Sequence, residues 1–255
     1  MRNKIGWCDL TWNPVWGCKN KCEYCYARKM AGFRYNAMAD KEYKYLYYKV
    51  ENFCKGEFAN RLRHFVPTFI QSNFDKRFPK KPQRIFVGSM SEIHYWKKEW
   101  VEKVLEKVKL YSQHIFQFLT KYPEVYSKWD FPENCWLGIT ITKNDDFDNG
   151  TYDFIRSDLN HDNIKYISFE PLFGNILSYK LLKYFDWVII GAETGNRGGK
   201  AIPKLEWITD IVEHCRNKKI PVYLKDSIIK LYPDLAFEYP NFHKFPGFYD
   251  KKEMK

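Results

Sequence analysis

Cys18, Cys22 and Cys25 fall within one eight-residue stretch with the spacing C-x3-C-x2-C, whereas Cys8, Cys54, Cys135 and Cys215 stand alone. The chain starts without the long apolar stretch of a signal peptide, so its thiols are expected in a reducing, cytoplasmic setting. There, a thiol cluster reads as metal or redox chemistry before it reads as disulfides. A closed zinc site needs a fourth ligand, from His64 or one of the isolated cysteines. An iron–sulfur cluster held by three thiolates instead leaves one iron open to a small molecule. The spacing alone leaves both readings open.

Something must position that loop. Short apolar runs rich in β-branched and aromatic residues recur at 84–90, 114–119, 135–141, 164–169, 186–192 and 220–224, with a first strand inside KIGWCDLTW. They are apolar on both faces, as strands of a covered parallel sheet are. Between them, residues 97–113, 151–159, 175–185 and 204–219 carry apolar positions at helical spacing. The alternation predicts an α/β fold of about seven parallel strands with right-handed crossovers. The strands end on Ser91-Glu92, Thr120-Lys121, Thr142-Lys143-Asn144, Glu170-Pro171, Glu193-Thr194-Gly195 and Lys225-Asp226. In barrel-like α/β folds such C-terminal strand ends form the active face.

The chain has 255 residues, a formal net charge of +11 and 19% aromatic residues, without linker, internal repeat or membrane span. A single domain over 1–255 is expected. The basic, aromatic balance suits nucleic acid as partner, although a lysine-rich composition alone gives a similar charge. Residues 33–83 interrupt the strand–helix rhythm with eleven Lys/Arg against five Asp/Glu. This insert is expected to form a helical basic lip. Lys41, Lys44 and one of the diverging Arg61 and Arg63 would meet phosphates there, and some of Tyr43, Tyr45, Tyr47 and Tyr48 would meet bases while others face inward; aromatic packing over the barrel's open edge is the alternative. Residues 239–255 are expected to be an irregular tail packing aromatic rings before it frays.

The cysteine spacing, with Tyr24 directly before Cys25, resembles the signature of radical S-adenosylmethionine enzymes. TWNPVWGC, VGSMSE, LTK, FEPLFG and IIGAETG further resemble a phage- and prokaryote-associated uncharacterised family of radical-SAM-like proteins, over residues 5–227. The resemblance implies a partial (β/α)6-type barrel with the three cysteines after the first strand. It implies that Cys18, Cys22 and Cys25 bind a [4Fe–4S] cluster whose open iron chelates S-adenosyl-L-methionine. One electron then yields a 5′-deoxyadenosyl radical that abstracts hydrogen from substrate. An electron donor such as flavodoxin or ferredoxin is implied, as is a three-cysteine-motif partner protein.

By the same resemblance, Tyr24 lies by the adenine, and Ser89, Met90, Ser91 and Glu92 replace the Gly-Gly-Glu segment that binds the methionine amino group. This departure leaves the individual roles open: backbone carbonyls or Ser91 for the binding, with Glu92 turned to substrate. Thr140, Thr142 and Asn144 are candidates for the ribose hydroxyls, with helix capping as the alternative for Thr142 and Asn144. Glu170, Glu193 and Lys225 are expected to contact substrate or the methionine carboxylate. A structural Glu–Lys pair is the competing account. Lys19, Lys21 and Arg28 would favour the thiolate charge. GAETGNRGGK lacks the spacing of a phosphate loop and reads as a strand-end glycine turn. His94, His114, His161, His214 and His243 show no ligand spacing. The substrate expected is a nucleic acid base or nucleotide, with a peptide or small metabolite as rival. A non-catalytic zinc-stabilised nucleic-acid-binding protein is the alternative class.

Overall fold

A computed structural model describes residues 5–47, 49–50, 53–156, 163–195, 197–239 and 243–246. Tyr48, His161, the end of the helix expected over 151–159 and the tail residues 240–242 and 247–255 lie outside them. The chain separates into two compact units, Cys8–Leu119 and Met1–Trp7 with Thr120–Lys255.

The first unit begins with β1 (Leu10–Trp12) and β2 (Val15–Trp16), followed by α1 (Tyr26–Leu46), α2 (Lys55–Arg63), β3 (Thr68–Phe69) and α3 (Gln71–Phe74). It continues through β4 (Arg84–Val87), α4 (Lys98–Leu110) and β5 (Ile115–Thr120). β1 pairs parallel with β4 and β4 with β5, whereas β2 and β3 form a separate antiparallel pair. Val101, Val104, Leu105 and Val108 are the buried positions of α4, the i, i+3, i+4, i+7 stripe that packs a crossover helix on a sheet.

The second unit holds β6 (Cys135–Thr140), α5 (Asn149–Arg156), β7 (Lys165–Phe169), β8 (Trp187–Ile190), α6 (Leu205–Asn217), β9 (Val222–Leu224), α7 (Asp226–Ile229) and α8 (Leu235–Glu238). Here β6, β7, β8 and β9 pair in sequence order, all parallel. Their interior is ring-lined: Trp187 meets Trp7, Trp136 and Tyr166 at centroid distances of 6.2, 5.6 and 5.5 Å. From the tail, His243 stacks on Tyr223 at 4.6 Å, and Trp187 Nε1 donates to the Lys244 carbonyl at 2.8 Å. Seven parallel strands with helical crossovers make this an α/β fold of the partial-barrel class, with a helical insert after the first strand.

Two expectations shift. The helix assigned to 175–185 is a 3-10 turn over Tyr179–Tyr184. Asn144 Oδ1 accepts from the N–H groups of Leu177 and Ser178, pinning the chain where a helix would start, and Leu182 is the only buried side chain of the turn. The boundary of the insert at 33 falls inside α1, which starts directly after Cys25. Cys25 is its N-cap, in extended backbone, and its Sγ accepts from the Arg28 N–H. A thiol does there what a Ser or Asp side chain ordinarily does.

Candidate functional site

The cysteine loop joins β2 to α1, inside the first unit, and is anchored at its start by Gly17. Its φ is +106°, and an added Cβ would lie 2.3 Å from the Val66 carbonyl oxygen, so only glycine fits. The Cys18 N–H donates to the Phe65 carbonyl at 2.9 Å, tying the loop to the end of α2. Cys18 Sγ accepts from the Asn20 N–H and Cys25 Sγ from the Arg28 N–H, each at 3.3 Å. The Arg28 guanidinium donates to the carbonyls of Cys18 (3.1 Å) and Asn20 (2.6 Å) and lies 5.0 Å over the Phe65 ring. Cys18 and Cys25 pack against a core of Trp16, Ala27, Ala31, Leu62, Phe65, Ile70 and Met90. All three thiols are half-buried. Burial first, with the Glu92 carboxylate adding to it, pushes the Cys18 thiol up to about 12. Among the described residues no three His, Cys, Asp or Glu side chains converge into a metal-holding group. Cys8 is buried, Cys54 is the exposed N-cap of α2, and His64 is its C-cap. Lys21 is exposed, and Lys19 Nζ lies 5.7 Å over the Tyr95 ring.

The segment after β4 lies against this loop. Gly17 and Ser91 form a parallel bridge, and the Gly17 N–H donates to the Met90 carbonyl at 3.0 Å. Asn13 Oδ1 accepts from both Ser89 Oγ (3.0 Å) and the Met90 N–H (3.1 Å). Tyr26 Oη donates to the Ser89 carbonyl at 2.9 Å. The Met90 side chain is in the core, 3% exposed, within the cluster against which Cys18 and Cys25 pack. Ser91 Oγ accepts from Trp96 Nε1 at 3.1 Å. Glu92 is buried and accepts from the His94 N–H at 3.4 Å, capping a short 3-10 turn. Tyr24 is half-buried in the loop.

The other candidates belong to the second unit. Thr140 ends β6 opposite Ser168. Thr142 donates through both N–H and Oγ1 to Asp146 Oδ2, each at 2.6 Å, and Asn144 Oδ1 also accepts from Ser178 Oγ. Thr142 thus donates to Asp146 while Lys143 is the N-cap of the 3-10 turn Asn144–Asp146, and Asn144 ties the loop to Ser178. Glu170 and Lys225, at the ends of β7 and β9, form an ion pair. Gly191, at the end of β8, sits under that pair: a Cβ there would lie 2.9 Å from Lys225 Cδ and 3.0 Å from Glu170 Cγ. Glu193, with its side chain 2% exposed, is gripped by Arg197 Nε and Nη2, each at 2.7 Å. The Arg197 hydrogen bond, outweighing burial, holds its carboxyl below the usual carboxylate range.

Sequence reading missed the work of Asn13, Asp146, Gly191 and Arg197. The Asn-Pro pair beside the cysteine loop marked a turn, and Glu193 with Arg197 four residues on was a readable ion-pair spacing. The expected basic lip is largely committed to structure: Lys41 Nζ donates to Asn73 Oδ1, Arg61 to the Pro67 carbonyl and Thr68 Oγ1, and Tyr45 to Asp75. Tyr43 and Tyr47 pack edge to face at 5.4 Å.

An α/β protein of the partial-barrel class, with three thiols on the loop that leads into its first helix, is thus defined. The chain belongs to the DUF5131 family, described as a protein of unknown function, whose model matches residues 2–228. No curated protein and no solved structure matches it. No helix among the described residues is long and apolar enough to cross a membrane.

Proposed function

We propose that this chain is a radical S-adenosylmethionine enzyme acting on a nucleic acid base or nucleotide. The observation that carries the reading is the bridge between Gly17, directly before the three-thiol loop, and Ser91 of the Ser89–Glu92 segment. It puts a set of soft thiolate donors and a polar strand end side by side. The donor set fits a three-thiolate [4Fe–4S] cluster in chemistry: thiols are its preferred ligands, and main-chain N–H groups of Asn20 and Arg28 already point at two of the sulfurs. The start of α1 adds to the fit, since a helix N-terminus favours negative charge and no acid occupies its first turn.

On this reading, Cys18, Cys22 and Cys25 are the cluster ligands. When bound, the cluster and S-adenosylmethionine supply one-electron cleavage of the sulfonium and hydrogen abstraction from substrate. The chain's own residues bind and orient. Arg28 fixes the loop carbonyls, Asn13 fixes Ser89 and Met90, and Glu92 offers a buried carboxylate to an ammonium group. Within the second unit, Glu170 and Lys225 form an ion pair, and Arg197 holds the Glu193 carboxyl below the usual carboxylate range. The net charge of +11 and the exposed cations and rings of the insert, Arg34 and Lys44 with Phe33 and Tyr47, favour nucleic acid over a peptide or metabolite. Reduced, reconstituted protein is expected to convert S-adenosylmethionine to 5′-deoxyadenosine and methionine. Chromatography that finds no deoxyadenosine above the level of a triple Cys18, Cys22, Cys25→Ala variant would refute the reading.

A further inference from the structure

The exposed line of α1 runs through Tyr26, Phe33, Ala37 and Lys44, residues spaced by i, i+7, i+11 and i+18 and therefore stacked on one side of the helix. Phe33 is 89% exposed and Tyr26 47%. An isolated exposed ring is ordinary. This one has a setting that is not: from Tyr26 to Ala39 the helix carries Arg28, Lys29 and Arg34 and no acid at all. Arg28 is turned to the cysteine loop, whereas Lys29, about 40° from Phe33 round the helix, and Arg34, about 100° round on the other side, are exposed. Farther along, Asp40 is paired with Lys55, so the only acid on this face is neutralised. Four other cations of the insert are engaged elsewhere. Lys41 and Arg61 are hydrogen-bonded, Lys49 lies 4.1 Å over Tyr45, and Arg63 lies 5.9 Å over Tyr35.

The line also has a fixed end. Tyr26 follows the N-cap Cys25 directly, and its hydroxyl is held by the Ser89 carbonyl. Its ring therefore marks where the exposed face of α1 meets the thiol loop and the 89–92 segment. Seven residues of helix separate it from Phe33, about 10 Å along the axis.

We infer that single-stranded nucleic acid docks along this face of α1, with a base stacked on Phe33, phosphates on Lys29 and Arg34, and the strand led past Tyr26 to the cysteine loop. The inference rests on the nucleic-acid reading of the function and names its surface. Charge complementarity selects a polyanion. The exposed ring selects an unpaired strand, because a base inside a duplex has no free face to offer. A single phenylalanine among cations is too little apolar area for a stable protein interface.

Fluorescence anisotropy with labelled single-stranded DNA and RNA of mixed sequence, and with the same DNA as duplex, tests it on the full chain at about 50 and 200 mM salt. Wild type should prefer single strands, with affinity falling steeply as salt rises. Phe33→Ala should weaken binding roughly tenfold with little change in the salt slope. Lys29→Glu with Arg34→Glu should weaken it further and lower the slope by about two. Lys98→Glu, an exposed change on α4, should bind like wild type. Each variant alters exposed side chains, and unchanged melting temperatures will show that it folds. The inference is overturned if wild type does not bind, if duplex binds as well as single strand, or if the Phe33 and Lys29/Arg34 variants bind like wild type. Iron and sulfide content, measured on the same samples, reports separately on the cluster: its absence would remove the enzymatic reading and leave the docking result standing.

Discussion

Arg28 reaches back ten residues to donate to the main-chain carbonyl of Cys18 at 3.1 Å, while its own N–H donates to Cys25 Sγ at 3.3 Å. One residue thereby spans the thiol loop from its first cysteine to its last. The second guanidinium bond, to Asn20, and the Phe65 ring beneath leave the group little freedom. Both carbonyl bonds leave one nitrogen, Nη2, while the flat guanidinium lies over the ring, a stacking that an ammonium cannot reproduce. Arg28→Lys is therefore expected to cost about 1–3 kcal/mol of stability and to speed iron loss to a chelator. Chelator kinetics beside thermal melting check this; unchanged iron release would show that the arginine serves packing alone.

Asn13 accepts two hydrogen bonds from the 89–90 segment. Asn13→Ala leaves Ser89 Oγ and the Met90 N–H without that acceptor, at a cost of about 2 kcal/mol. Binding of S-adenosylmethionine, followed by calorimetry, should weaken while iron content stays constant.

Gly191→Ala should disturb the second unit without touching the cysteines. The new methyl would press on Lys225 Cδ and Glu170 Cγ, and overpacking of this kind costs about 1–3 kcal/mol. A lower melting temperature with full iron content is the expected pair of results.

Glu193 makes a pH-dependent contribution whose sign follows from its lowered pKa. In the folded chain the carboxylate is stabilised, so its contribution is complete above the unfolded pKa of about 4.3 and fades as pH falls through the lowered value. Glu193→Gln should cost about 2 kcal/mol at pH 7, and the gap to wild type should narrow at an acid pH below the unfolded value. Urea denaturation at both pH values measures it.

Strand content was legible because runs such as Trp187–Ile190 are apolar on both faces, and only a covered parallel sheet uses such runs. The helices α4 and α6 were legible from their buried stripes. The turn at Tyr179–Tyr184 was not, because its conformation is decided by Asn144, thirty-three residues away from Leu177. The same limit applies to the site. Spacing alone brought Cys18, Cys22 and Cys25 together, whereas Asn13 with Ser89, or Glu170 with Lys225, are 76 and 55 residues apart and meet only through the fold. In the insert, charge alone does not show which cations are engaged: Lys41 and Arg61 count toward a basic lip, and both are also held by carbonyl or side-chain oxygens.

The central claim is that Cys18, Cys22 and Cys25 together hold an iron–sulfur cluster. Its most direct test is iron and acid-labile sulfide content after anaerobic reconstitution, in wild type and in single Ala variants of the seven cysteines. Wild type should hold four of each per chain, the signature of a [4Fe–4S] cluster. Each triad variant should lose them, and Cys54→Ala and Cys215→Ala should retain them. Stoichiometric zinc without sulfide in wild type, or full iron and sulfide in any triad variant, would contradict the account.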